Sequence, residues 1–335
     1  MAIFTNAIYE NTTSYVNDNI EPTMEGSAQI MYEFASDMYK LISATYISDI
    51  MIESAITEGA TDVQPLMEKT VKEFAKNAKE KFIELKNKIV AWFKNVIDKI
   101  KVFFMNSSKF IVKYEKAIND NIENIGSFEY TGYKYSTSKA NSPCDIGEAK
   151  IAELKGVVEK IGKTVTKDEG DTKYKIDETI AKTVGDAGVS GMKDDLIEKM
   201  RGGRTSKDII KVAKNDVSSM IDAVKNSKQV IENIEKLRKK TNEALDGIIK
   251  EFDTAENRNI NANAVTTMAE YYNKGITAIQ AVNTVAVNEE NTRCRQFTAV
   301  LKKLATAKKK TTESFGDDDF VSGSSIFESA LNMLA

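Results

Sequence analysis

Between Ala78 and Ile118 large apolar residues return at every seventh position: Phe82, Ile89, Val96, Phe103 and Phe110. A second row runs beside the first at Ile83, Val90, Ile97, Phe104 and Ile111, and a third stands at Phe93, Ile100 and Tyr114. On a helix these rows merge into one wide stripe. Lys79, Glu80, Glu84, Lys88, Lys94, Asp98, Lys101 and Lys109 take the opposite face, and neither Pro nor Gly interrupts the run. Such a helix is roughly 60 Å long. Each large side chain gains about 1.5–3 kcal/mol on full burial, so the stripe must be covered by other helices, by a partner chain or by a membrane surface. The candidate partner or membrane face comprises Phe82, Ile89, Trp92, Phe93, Val96, Ile100, Phe103, Phe104 and Phe110.

The surrounding chain is also helical in character. Only three of its 335 residues are Pro, too few for many strands joined by tight turns, and 41% apolar with 29% charged residues suits a globular or elongated helical protein. There is no His, which removes the commonest general base and the commonest transition-metal ligand. Cys144 and Cys294 lie 150 positions apart and form no metal-binding spacing, so they read as two reduced structural thiols. The opening Met1-Ala2-Ile3-Phe4-Thr5-Asn6 lacks the features of a secretory signal, and no run reaches the roughly 18 apolar residues of a membrane span. The expectation is synthesis in a cytoplasm. No cofactor and no metal are implied.

Net charge is −3, but its distribution is uneven. Residues 1–68 hold eleven acids and one base, Lys40, for −10; residues 69–116 hold thirteen Lys and five acids, for +8. Either the acidic arm folds back on the basic helix, or it masks a basic face until displaced.

In chain order, residues 1–25 are rich in Asn, Asp and Thr and favour turns. A second amphipathic helix is expected from Gly26 to Ile56, with Ile30, Phe34, Met38, Leu41, Ile42, Thr45, Tyr46, Ile50 and Met51 inward, and Pro65 suits the first turn of the next. Residues 128–135, Phe-Glu-Tyr-Thr-Gly-Tyr-Lys-Tyr, alternate around Thr131-Gly132 and predict a short β-hairpin. One helix fits Ile146–Ile161. Gly162, Gly170, Gly185, Gly188 and Gly191 then thin the pattern into an irregular linker. Arg201-Gly202-Gly203-Arg204 is a break, and Thr205 with Asp208 resembles a capping box.

A seven-heptad series follows, with Ile210, Val217, Val224, Ile231, Arg238, Leu245 and Phe252 at one position and Ala213, Met220, Ser227, Ile234, Thr241, Ile248 and Ala255 at the other. Asn257 to Asn263 is the expected turn. The return seam runs Val265, Met268, Tyr272, Ile276, Ile279, Asn283, Ala286, Glu290, Arg293, Phe297, Val300 and Leu304. The organisation read from this pattern is an acidic arm and helix (1–68), a basic helix with a β-hairpin (69–143), an irregular linker (144–192), a long helical hairpin (193–312) and an acidic mobile tail (313–335). The fold class is mainly α: an elongated helical bundle with a long C-terminal antiparallel hairpin.

Other motifs favour plain readings. Gly202-Gly203-Arg204-Thr205-Ser206-Lys207 lacks the residue order and preceding strand of a phosphate loop. Asp317-Asp318-Asp319 lacks the alternating ligands of a calcium loop. Asn11-Thr12-Thr13 and Asn106-Ser107-Ser108 match the glycosylation pattern, which means little without a signal peptide. Glu289-Glu290 is expected on a helix surface. For the lysines around the stripe, the outer face of a core helix ranks first, an anionic membrane second and nucleic-acid phosphate third.

Two segments resemble virion structural proteins of large tailed phages. The first passes through Ala91-Trp92-Phe93-Lys94 and Phe103-Phe104 to Lys109-Phe110-Ile111-Val112-Lys113-Tyr114-Glu115; the second is Phe128 to Tyr135. The resemblance covers about residues 50–140. It implies a non-enzymatic helical part of a capsid interior, made in the host cytoplasm and residing in the virion, with other virion proteins or its own copies as partners. It also implies a maturation protease that cuts after Glu in an Ile/Leu-x-Glu pattern. Ile326-Phe327-Glu328 before Ser329 fits; Ile8-Tyr9-Glu10 is followed by Asn11, Met51-Ile52-Glu53 departs at its first position, and Leu196-Ile197-Glu198 reads as plain helix. The competing class is a membrane-active helical protein, pore-forming or ejected, and the weaker one a nucleic-acid-packing scaffold.

Overall fold

The run around Trp92 is one uninterrupted helix. In the computed structural model, which describes residues 21–59, 63–137, 141–167, 174–203, 206–256 and 262–307, the chain begins with α1 (Glu21–Thr57) and continues into α2 (Gln64–Ile125). Pro65 occupies the first turn of α2, and Gly126 ends it at φ 75° with its N–H bonded to the Ile122 carbonyl at 2.8 Å. The stripe drifts as a straight helix requires. Phe82, Ile89 and Val96 are fully buried, but Phe103 and Phe110 of the same row are only half-buried, and Phe104, Ile111 and Ile118 take over. A heptad row slips about 20° per repeat, and Ile118 returns to the angle of Phe82 after about ten turns.

α1 folds back along α2. Phe34 meets Phe82, and Glu33 and Asp37 pair with Lys88 and Lys81 at 2.7 and 3.2 Å. Its inward face is Met31, Phe34, Met38, Thr45 and Ile52. Tyr46, Ile50 and Met51, expected inward, are exposed.

The expected β-hairpin at 128–135 does not form. β1 (Ser127–Gly132) pairs antiparallel with a distant strand, Asp208–Ala213, with Ser127 opposite Ala213 and Gly132 opposite Asp208. Gly132 marks a close approach: a Cβ there would stand 2.5 Å from Gln296 Oε1. Gln296 continues the ladder with its side chain. Its Oε1 accepts from the Tyr133 N–H at 2.9 Å and its Nε2 donates to the Tyr133 carbonyl at 2.7 Å.

The stretch expected to be an irregular linker contributes to the core. α3 (Pro143–Val158) starts on a Ser142 capping box and buries Cys144, Gly147, Ile151, Leu154 and Val158. After it come α4 (Ile161–Thr164), a two-residue strand pair of β2 (Thr166–Lys167) with β3 (Tyr174–Lys175), α5 (Glu178–Val184) and α6 (Asp186–Met200). Ile180, Val184, Leu196, Ile197 and Met200 are buried. Of the glycines that thin the sequence pattern, Gly185 ends α5, and Gly162 lies where a Cβ would stand 2.9 Å from both Glu251 and the Tyr272 hydroxyl.

The heptad series is not one helix. Asp208 and Ile210 belong to β4 (Asp208–Ala213). Thr205, the other half of the expected capping box, lies outside the described residues. α7 (Lys214–Lys225) starts with the Asp216 carboxylate accepting from the Ala213 N–H, and the chain breaks at Asn226 before α8 (Ser227–Glu256). Beyond the break the second row stays buried at Ile234, Thr241 and Ile248, as do Leu245 and Phe252 of the first, while Ile231 and Arg238 stand on the flank and Val230 and Leu237 are buried beside them.

α9 (Ala262–Thr306) carries the return seam, and every residue expected on it is buried. α8 and α9 touch at Phe252–Tyr272, with ring centroids 5.7 Å apart, and through Asn283 to Thr241 at 2.8 Å. Further along, α3 inserts between them: a Cβ at Gly147 would meet Ala286 at 2.6 Å and Leu237 at 3.5 Å. The large core lies among α1, α2, α3, α8 and α9, and a second beneath the β1–β4 pair gathers Ile111, Ile118, Val212, Val217, Val224 and Phe297.

Candidate functional site

The stripe, read from sequence as a partner or membrane face, is covered by the chain itself. Phe82, Ile89, Phe93 and Val96 are fully buried, Trp92, Ile100 and Phe104 nearly so, and Phe103 and Phe110 halfway. Lysines beside it tie down its covers. Lys81 and Lys88 pair with α1, while Lys79 and Lys86, one heptad apart, pair with Asp253 and Asp246 of α8. The Lys88 hydrogen bond holds Glu33 below its usual carboxylate range, and the hydrogen bonds that Lys81 donates to Glu84 and then Asp37 raise Lys81. These pairs are exposed and each is worth little by itself.

Of the seam residues, Val217 and Val224 line the second core, Leu245 and Phe252 the first, Ile231 is half-buried beside it, and Ile210 sits half-buried in β4. Glu328, the possible processing site, lies outside the described residues, as do residues 1–20, the turn at 257–261 and the acidic tail.

Sequence reasoning missed the polar interior of α9. Its first part joins three helices. Gln280 Nε2 donates to Ser27 Oγ of α1 at 2.9 Å; Thr284 gives its hydroxyl hydrogen to the Gln280 carbonyl at 2.9 Å, so Ser27 donates to Thr284, also at 2.9 Å. Asn283 Nδ2 reaches Gln280 Oε1 at 3.0 Å and Thr241 of α8 at 2.8 Å. A hydrogen-bonded network of this kind fixes register where apolar side chains alone would slide.

The second part is ionic. Glu289 and Glu290, expected on a surface, are 1% and 0% exposed. Glu289 Oε2 accepts from the Tyr135 hydroxyl at 2.6 Å and Arg201 Nε at 2.7 Å, and its Oε1 accepts from Arg201 Nη2 at 2.8 Å. The Arg201 guanidinium lies over the Tyr133 ring at 3.8 Å. At the next position Glu290 Oε1 accepts from Arg293 Nη1 at 2.6 Å, and Arg293 Nε donates to the Ser136 carbonyl at 3.0 Å. Cys144 and Cys294 flank the Glu290 carboxylate, through the Cys144 N–H at 3.4 Å and the Cys294 thiol at 3.8 Å. The connection from β1 to α3 and the end of α6 are therefore fastened to α9 by charge.

The electrostatics favour holding over reacting. Burial, and then the Glu289 carboxylate, push the Tyr135 phenol far above its usual range. Burial opposes the Arg201 charge, but Glu289 outweighs it and keeps the guanidinium protonated. Burial, with Glu290 beside them, pushes both thiols well up, so neither is a thiolate at neutral pH. The signal that could have found this site was present in the sequence: Asn283, Glu290 and Arg293 stand in phase with the apolar return seam.

Elsewhere, an open crevice of about 290 Å³ lies where α1 meets α2, lined by Gly26, Ile30, Lys88, Trp92, Asn95 and Lys99 among others. Among the described residues, no group of three or more His, Cys, Asp or Glu could hold a metal ion, and no helix is long and apolar enough to cross a membrane. No protein-family model matches the chain, no curated protein matches it, and no solved structure matches its fold.

Proposed function

We propose that this chain is a non-enzymatic structural component of a tailed-phage virion that works through helix–helix association. The virion assignment rests on the sequence resemblance around Trp92 and Tyr130. The structural role rests on one observation: the apolar stripe of α2 is spent on the chain's own interior, between α1, α8 and α9. The buried acids of α9 are likewise spent on arginines and a tyrosine. In this reading the helices form one elongated bundle about 90 Å long, the length of the 62-residue α2. α8 and α9 are its antiparallel hairpin, wedged open on one side by α3.

Mass spectrometry of purified particles from a host carrying this gene tests the assignment. The protein is expected in the particle in stoichiometric amount, with any maturation cut after Glu328. Its absence from particles, with the protein present in the lysate, overturns the reading.

A further inference from the structure

α1 ends before the groove it occupies does. Glu33 and Asp37 pair with Lys88 and Lys81, and a Cβ at Gly26 would stand 3.8 Å from Trp92. α1 therefore runs antiparallel to α2, with its first residues pointing toward Lys99. On its other side Ser27 bonds Gln280 and Thr284 of α9. α1 thus lies over the seam between α2 and α9. Those two helices run parallel, for Arg295 lies over the Phe103 ring at 5.7 Å and Lys302 over the Phe110 ring at 5.5 Å.

The surface under α1 continues past its start. Leu85, between the two paired lysines, and Trp92 are 1% and 5% exposed. Phe103 and Phe110 follow them by eighteen residues, which is five full turns, so they stand at the same two angles around α2. Yet both are only half-buried. On α9, Lys302 likewise stands five turns beyond Thr284. The crevice lined by Gly26, Trp92 and Lys99 opens where the cover ends. By angle the two rings belong to the face that α1 seals, and they gain from the same sealing.

We propose that residues 1–20 of this chain continue the path of α1 along this groove and cover Phe103 and Phe110. The proposal goes beyond the virion reading and does not rest on it. Three observations select this occupant. The first is continuity: residues 1–20 lead directly into Glu21, which lies about 9 Å beyond Ser27 on the side of Phe103. The second is length. From the level of Glu21 to Thr306 the groove runs about 25 Å, and twenty residues span about 30 Å as helix and more when extended. The third is charge. Asp98 faces Lys101 at 3.5 Å, and among the described residues no carboxylate pairs with Lys99, Arg295 or Lys302. Residues 1–20 bring Glu10 and Asp18 with no Lys or Arg, and Ile8, Tyr9, Val16 and Ile20 with them. The other end of the chain must reverse direction to reach the groove, and it starts with Lys308-Lys309-Lys310, of the wrong sign. A tethered segment also meets the groove at a far higher effective concentration than a second copy does.

Photo-crosslinking of the full-length protein tests this. p-Benzoylphenylalanine replaces Asn106, which is exposed beside Phe103 and Phe110, or Lys101, exposed about 140° away around α2. Both proteins are expected to keep the wild-type circular dichroism. The probe at 106 is expected to link within one chain to residues 1–20, mapped by mass spectrometry, at least tenfold more than the probe at 101. Val16→Ser/Ile20→Ser is expected to lower that yield at least fivefold, which separates docking from mere tethering. Links from 106 into residues 308–335 or between copies, equal yields from 106 and 101, or a yield that the serine variant leaves unchanged each overturn the proposal. The virion assignment falls only if the protein is missing from particles.

Discussion

Phe34 and Phe82 meet edge to face with ring centroids 5.0 Å apart, and Phe82 stacks on its far side with Phe252 at 5.5 Å. Phe252 then meets Tyr272 at 5.7 Å. One line of rings thus crosses α1, α2, α8 and α9, and it passes through a residue of the organising stripe. Phe82→Ala removes the ring that touches both neighbours and is expected to cost about 3–5 kcal/mol. Urea unfolding of wild type and variant measures the difference; a loss below about 1 kcal/mol means that Phe82 is not the joint described.

Glu289 neutralises Arg201 in a site that water barely reaches. Glu289→Gln keeps the volume and leaves a buried guanidinium without its counter-charge. The expected loss is about 3–5 kcal/mol, as for other broken buried pairs. In a double-mutant cycle with Arg201→Met, the second change is expected to restore part of that loss. Additive losses would mean that the two side chains do not depend on each other.

Two glycines of α3 separate close packing from helix propensity. Gly147 is pressed against Ala286, whereas a Cβ at Gly156 meets nothing within 4 Å. Gly147→Ala is expected to destabilise by about 1–3 kcal/mol as the wedge between α8 and α9 is forced apart. Gly156→Ala is expected to stabilise by up to about 1 kcal/mol. Thermal melts of the two single variants check the opposite signs.

Cys144 and Cys294 resist ionisation when folded, because burial raises both thiols. An acid raised on folding contributes stability that is complete below its unfolded pKa, about 8.5 for a thiol, and is lost as pH rises from there toward the folded value. The urea midpoint is therefore expected to fall between pH 8 and 9.5. Cys144→Ala/Cys294→Ala should flatten that fall. A wild-type midpoint that holds steady or rises across this window contradicts the burial of the thiols.

The helices were legible wherever apolar residues kept phase over many turns. α2 and α9 follow that pattern, and the whole return seam of α9 is buried, whereas α1 keeps it only as far as Thr45, beyond which Tyr46, Ile50 and Met51 turn outward. Phase failed where local chemistry re-set it. Ile210 and Ala213 continue the heptads of Val217 arithmetically, yet they belong to β4, because β1 supplies a partner 80 residues away that no local pattern reveals. Gly132 was read as a turn residue, although what it admits is Gln296. The ionic site was half legible. Glu290 and Arg293 stood on the seam, but Arg201 and Tyr135 arrive from other elements and carry no spacing that points to α9. The outward turn of Tyr46, Ile50 and Met51 was obscured by a related ambiguity, since a helix apolar on two sides has no single stripe from which to choose a buried face.

Trp92 is the only tryptophan of the chain and sits in the stripe, 5% exposed. Its fluorescence therefore reports directly on whether the stripe is covered by the protein itself. Measured with and without anionic lipid vesicles and with acrylamide as quencher, the emission is expected to be blue-shifted, weakly quenched and unchanged by vesicles. Emission at the wavelength of free tryptophan with full quenching, or a blue shift that appears only on adding vesicles, would show that the stripe meets water or lipid and would contradict the account.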